Sequence, residues 1–519
     1  QQIKIYINQF LTLMKNGNGR THQTGLFQIK QSMRLEGGNI TLVKKARKKN
    51  RLAMKLRIFY FGLIFLVSGC TSYKFDQSLN NINSNKDIVI AGKITAAINQ
   101  EQQNELFNNS KALLNSEVGE KEAVELMLSK SPSFQSLLFK YRGSGSAAAQ
   151  KGRISNPVFS FERMVKGSEI EYGRFLSFGL LDLLSLPTKQ KSSKLAVDLN
   201  DINFASEIYG AISDVRMSWF EAVASEQQLT LYDNAFVALS ANAELAKRMK
   251  KTGNMTTSDR VRQQLIYSES TVALAKAKMR KISSRENLIR KIGLTESEAN
   301  NLTIPKKLPE LPKTPISIEK IADKISNRFD VKTARIEYEL LLEQLGVEKI
   351  NSYTDIEFGY RNDRIKDDGV ISNKKGYELE IKIPIFDWGN LQRDTIQADL
   401  IAKQKIYENI VLAAASELRE AYQNYRTAFD IAKHYYDQII PMHEILLEEA
   451  TYNYNGMIIG IFELMQSGLE KSTAEIKATD ALQNLFTAEL NLNSVVLGRK
   501  LGAKSRTTEI ASNKAKKGH

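Results

Sequence analysis

The chain has 519 residues, a quarter of them charged and 42% hydrophobic, and a formal net charge of +15 at pH 7. One cysteine excludes an internal disulfide. The four histidines, His22, His434, His443 and His519, never stand at i, i+4, so no helical metal pair exists. Residues 1–69 hold thirteen Lys/Arg against the single acid Glu36, which leaves only +3 for the rest of the chain, too little for a nucleic-acid surface.

The first readable element is an address. Met54-Lys-Leu-Arg57 is basic, Ile58 to Val67 is apolar apart from Gly62, and Val67-Ser68-Gly69-Cys70 supplies small residues before a cut. That order describes a secretory signal at 54–69. About ten apolar residues are too few to span a bilayer, which takes about 20. The tetrapeptide resembles a bacterial lipobox, whose cysteine becomes a lipidated mature N-terminus. Thr71, in place of Asp, points to the outer rather than the inner membrane. Residues 1–53 precede the only well-placed methionine and read as leader or over-called start. Residues 70–117 are expected to be an N-terminal linker.

Two copies of one plan follow. Trp219 pairs with Tyr422 at an offset of 203, as do Ile208 with Val411, Ile212 with Ala415, Val215 with Leu418 and Gly253 with Gly456. Ala196 pairs with Ala398 at 202 and Gly293 with Gly498 at 205. The first repeat is placed at 118–298, with strands near 157–165 and 174–182, a long helix at 188–250 and a helix at 257–293. Pro305, Pro309, Pro312 and Pro315 mark a connector at 299–316. The second repeat is placed at 317–502, with strands near 354–362 and 376–386, a long helix at 389–452 and a helix at 458–498. A basic tail, 503–519, closes the chain.

The long helices would each run roughly 95 Å at 1.5 Å per residue. In the second, Val411, Ala415, Leu418, Tyr422, Tyr425, Phe429, Ala432, Tyr436 and Ile439 step by 4 and 3, a coiled-coil seam. Pro441 is expected to kink or locally widen this helix. The fold class is therefore mainly α with a small β part.

The strands alternate. In Tyr377-Glu-Leu379-Glu-Ile381-Lys-Ile383-Pro-Ile385 every odd position is apolar. Such a pattern fits a half-buried hairpin or a transmembrane barrel strand. Four strands cannot close a barrel, since eight is the smallest known, and an open edge in lipid is forbidden. Membranous strands would thus require two or three copies of the chain, and the sequence does not choose between them.

These elements together resemble the TolC-like outer-membrane efflux proteins over about residues 118–502. The carrying segments are Ile383-Pro-Ile385-Phe386-Asp387-Trp388-Gly389, Tyr454-Asn455-Gly456, Leu497-Gly498, Asn156-Pro157 and Leu183-Leu184-Ser185-Leu186-Pro187. The resemblance implies a trimer sharing a twelve-stranded barrel in the outer membrane, a helical tunnel in the periplasm, and passive conduction without catalysis. It implies a periplasmic adaptor and an inner-membrane pump as partners. A lipid-anchored start favours a pump of the resistance-nodulation-division type. No cofactor is implied beyond covalent lipid on Cys70. Neither nucleic acid nor a metal is an expected ligand.

The resemblance puts helix turns at Gly253 and Gly456, at the periplasmic end that would meet adaptor or pump, where glycine suits a left-handed or tight backbone. It also suggests a ring of gate carboxylates. Asp259 stands six residues after Gly253. Six and nine residues after Gly456 stand Phe462 and Met465, so the nearest acid is Glu463, at a different rotation when counted from that glycine. Both acids could equally be solvated first-turn residues favoured by the helix dipole. Two other readings fit part of the pattern: a type I protein-secretion duct, and a structural periplasmic lipoprotein without a pore.

Overall fold

The computed structural model describes residues 73–317, 327–351, 355–383 and 385–499. The chain divides after Cys70 into two units, and the fold below is that of the second. Cys70, the signal at 54–69, residues 1–53 and the tail at 503–519 lie outside the described residues.

The elements run α1 Phe75–Asn83, α2 Gln100–Leu113, α3 Glu120–Lys130, α4 Pro132–Gln150, β1 Val158–Lys166, β2 Glu169–Gly179, α5 Leu180–Lys251, α6 Thr257–Ile292 and α7 Glu296–Asn301. The second half repeats the order with α8 Phe329–Asn351, β3 Asp355–Asp367, β4 Val370–Lys382, α9 Asn390–His434, a π-turn Tyr435–Ile439, α10 Ile440–Asn455 and α11 Ile461–Val496. α5 is 72 residues long, about 110 Å at the α-helical rise. It packs along α6, and the α9–α10 rod packs along α11, so each repeat contributes a helical hairpin. α5 also touches α11, where Phe220 stacks on Phe486 at 4.6 Å and 6°.

The core gathers at this junction. Phe204, Ile208, Trp219, Tyr425, Phe429 and Leu485 are among its fully buried members. The Trp219 indole N–H donates to the Val118 carbonyl at 2.9 Å, and the Tyr425 hydroxyl accepts from the Ile316 N–H at 3.1 Å. One ring from each long helix thus holds the chain segment that leads into its own repeat.

Several expectations are revised. The segment 70–117 is no simple linker: Phe75, Leu79, Ile82, Ile88 and Ile94 are buried in the core, and Tyr73 and Ser78 both donate to the Asp201 carboxylate, at 3.1 and 2.7 Å. Burial beside Asp201 pushes the Tyr73 hydroxyl up to about 12. The first long helix begins at Leu180 rather than at 188, with Pro187 inside it. Asp182 favours the helix start and is held by Lys189 at 2.5 Å, about two turns on. The seam of α9 is shifted at its start. Ala414, Leu418, Ala421, Tyr425, Phe429 and Ala432 are buried, whereas Val411 is 40% exposed. Before Pro441 the helix widens into the π-turn, which contains Asp437, the residue whose carbonyl a proline at 441 would crowd in a regular α-helix.

Candidate conduit: sheet faces and helix tips

The four strands form one antiparallel sheet in the order β1-β2-β3-β4. Each hairpin closes through two residues. Gly167 has φ +62° in the first; Asp368 and Gly369, at +44° and +86°, form a type I′ turn in the second. Both turns lie at the sheet end away from the helices. The second pair reaches further toward its turn than the expected 354–362 and 376–386, and β4 ends at Lys382 instead of continuing to 386. There Asp387 accepts from the Gly389 N–H at 2.8 Å, and Gly389, at φ +70°, starts α9.

Register sorts the side chains by face. Phe159, Leu176, Tyr360 and Tyr377 form one cross-strand row, and Phe178, Phe358 and Leu379 the next toward the helices, followed by Ile356 and Ile381. The aromatic members touch: Phe178–Phe358 at 5.6 Å, Phe358–Tyr377 at 5.8 Å and Tyr360–Tyr377 at 5.7 Å. Tyr377 is 78% and Phe159 63% exposed, so this apolar face is uncovered. The other face carries Glu162, Glu171, Glu357, Arg361, Asp363, Glu378 and Glu380. Arg361 bonds Asp363 at 3.0 Å and Glu162 at 3.4 Å across three strands. Among the described residues β1 and β4 pair on one side only, so both outer edges of the sheet are open.

At the other end of the helices lie the two tips. After α5, Gly253 takes φ +79°, and the Asn254 N–H reaches back to the Met249 carbonyl at 2.9 Å. After α10, the Ile458 N–H reaches the Asn453 carbonyl at 2.8 Å, the same closure. There the left-handed residue is Met457, at φ +56°, while Gly456 has φ −76°. The structural partner of Gly253 is therefore Met457, one residue later than the sequence pairing.

That one-residue shift also corrects the rotation of Glu463. Thr256 caps α6 and Gly460 caps α11, so Asp259 and Glu463 both stand at the third helical position. The two acids have equivalent rotations. The Thr256 hydroxyl accepts from the Asp259 N–H at 3.1 Å and donates to its carboxylate at 2.6 Å. Both acids are exposed, and neither has an ion-pair partner among the described residues. No hydrogen bond links one to the other, and no group of potential metal ligands occurs among the described residues. No described helix is long and apolar enough to cross a membrane. The sequence pointed to both tips; the π-turn, which moves the register, had only Pro441 as its signal.

No family model matches the chain. Nodulation protein T of Rhizobium leguminosarum bv. viciae is 24% identical over 185 residues, which is 34% of this chain; the match spans 38% of that relative's length. Solved structures agree over far more. A membrane protein from Pseudomonas aeruginosa superposes with a TM-score of 0.61 at 14% identity, over 73% of this chain and 92% of that one. The Campylobacter jejuni CmeC outer membrane channel gives 0.59 at 12% identity, over 84% and 95%. The open-state Neisseria gonorrhoeae MtrE outer membrane channel gives 0.55 at 15%, over 74% and 90%. The fold is that of the TolC-like outer-membrane channels.

Proposed function

We propose that the chain is the outer-membrane exit duct of a tripartite efflux pump, passively conducting small molecules or ions to the cell exterior. The observation that carries this reading is the sheet: one exposed face that is apolar in its half nearer the helices, one acidic face and two open edges, continuous with helices about 100 Å long. In lipid, unpaired edges must be closed by other strands. Three copies pairing β4 with the next β1 close a twelve-stranded barrel with the apolar face toward lipid and the acidic face toward the lumen. A spacer lipoprotein without a pore leaves both the apolar face and the edges without a role.

In this reading Cys70 carries the lipid anchor and the helix tips point into the periplasm. Met457 and Ile458, 93% and 75% exposed, form an apolar tip suited to a periplasmic adaptor. The pump behind it is of the resistance-nodulation-division type, which a lipid-anchored duct suits. Asp259 and Glu463 supply carboxylates at equal depth around the closed end, where a charged ring attracts cations.

The test is reconstitution of the purified chain in planar bilayers. Stepwise ion conductance is expected. Membrane association without conductance, under conditions that open a control channel of this fold, would eliminate the duct.

A further inference from the structure

The exposed face of the sheet is not apolar throughout. Beyond the Phe159–Leu176–Tyr360–Tyr377 row, toward the hairpin turns, the same face presents Arg174 and Lys375 in one row with Phe161 and Asn362. The next row has Arg163 and Arg364 beside Tyr172 and Asn373, and the last has Lys366 beside Val165, Ile170 and Ile371. All five cations are exposed, and none forms an ion pair among the described residues. No position of this face, in any of the four strands, is an acid; the sheet's acids stand on the opposite face or at its rims.

Five exposed cations with no acid among them make this belt strongly positive, a surface that attracts anions. Cations on the lipid face of a barrel are also costly unless they reach an interface. The ligand must therefore combine two chemistries: anionic oxygens for Arg163, Arg174, Arg364, Lys366 and Lys375, and apolar chains for Phe161, Val165, Ile170 and Ile371 between them. An acidic soluble protein meets only the first. A lipid with phosphates at the boundary between headgroup and acyl chains meets both, and arginine binds phosphate through paired N–H donors.

We propose that this belt is a binding site for phosphorylated glycolipid of the lipid A type in the outer leaflet, on the exterior of the barrel. The inference rests on the duct reading, which places the hairpin turns outside the cell. Each copy brings five cations, and closure of the barrel makes them a continuous girdle directly above the apolar rows. Binding there fixes how deeply the barrel sits, because the phosphates hold the basic rows while the acyl chains cover the aromatic ones.

The test reads lipid A retained by the assembled protein in detergent, by native mass spectrometry, for the wild type and for R163Q/R174Q/R364Q/K366Q/K375Q. Retention is expected to fall about tenfold or more in the five-fold variant, since several charge-assisted bonds are lost together. R174Q/K375Q, which changes a single row, is expected to show a partial fall and serves if the larger variant assembles poorly. Inorganic phosphate at millimolar concentration should not displace the lipid. Conductance in phosphatidylcholine bilayers should be the same for wild type and variants. Equal retention by the wild type and R174Q/K375Q, or full displacement by inorganic phosphate, overturns the glycolipid site while leaving the duct standing. A wild type that forms no channel overturns the duct and this inference with it.

Discussion

Asp259 and Glu463 occupy the same position of equivalent helices, each three residues after its cap, although they are 204 residues apart while Trp219 and Tyr422 are 203 apart. The extra residue enters between Tyr422 and Asn455. The only break from α-helical geometry in that stretch is the π-turn Tyr435–Ile439. A π-turn is the means by which a helix takes in one residue without ending. The local widening thus restores equal rotation to the two acids at the tip.

If both acids line the closed end, Asp259→Asn and Glu463→Gln together should weaken divalent-cation block of single channels, and each alone should do so in part. Planar-bilayer recordings in a salt gradient measure it. Unchanged block and selectivity in the double variant would make the two acids ordinary solvated residues.

Deleting Gln438 should return the π-turn to a regular α-helix. The extra residue and the widening that absorbs it would then be gone together, so the tip should keep its rotation relative to α5. Glu463 should stay equivalent to Asp259, and the channel should respond to cations as the wild type does. A deletion variant that responds like Glu463→Gln would show that the π-turn is not what absorbs the extra residue.

The turns should respond unequally to substitution. Gly253 requires a left-handed backbone and has open space around it, so Gly253→Val should cost about 1–2 kcal/mol in local stability through the backbone alone. Gly456→Ala, at φ −76°, should be nearly neutral. Met457→Gly should stabilise the second tip by up to about 1 kcal/mol, since glycine accepts φ +56° freely. Amide hydrogen exchange at residues 252–258 and 456–462 reads these differences locally. Equal loss of protection from Gly253→Val and Gly456→Ala would contradict the turn assignments.

The long helices, the sheet and the duplication were legible because their signals are local and periodic. The alternation in Tyr377–Ile381 matches the exposed apolar rows of β4. It fails at Val370–Gly376, where the outward residues are Ile371, Asn373 and Lys375, so that half of the strand reads as polar. The turn residues Asp368-Gly369 carried the missing signal. The seam of α9 strayed at Val411 because which face of a helix is buried depends on neighbours far away in sequence. Gly456 drew attention as the glycine in a turn, yet the turn places its left-handed residue at Met457, a choice that no sequence preference announces.

Gly210 illustrates a different kind of constraint. It sits where the Arg499 guanidinium lies against α5, bonded to the Ser206 carbonyl at 2.8 Å and to Glu207 at 3.3 Å. Any side chain there meets the guanidinium. Gly210→Leu should therefore displace Arg499 and destabilise the core by about 1–3 kcal/mol, as overpacking does. Thermal unfolding in detergent measures it, and an unchanged midpoint would show that Arg499 is free to move aside.

The central claim is that the open edges of β1 and β4 are closed by neighbouring copies in a shared barrel. Native mass spectrometry of the purified mature chain in detergent tests it most directly. The account predicts a stable assembly of three chains. A stable, folded monomer under the same conditions would contradict it.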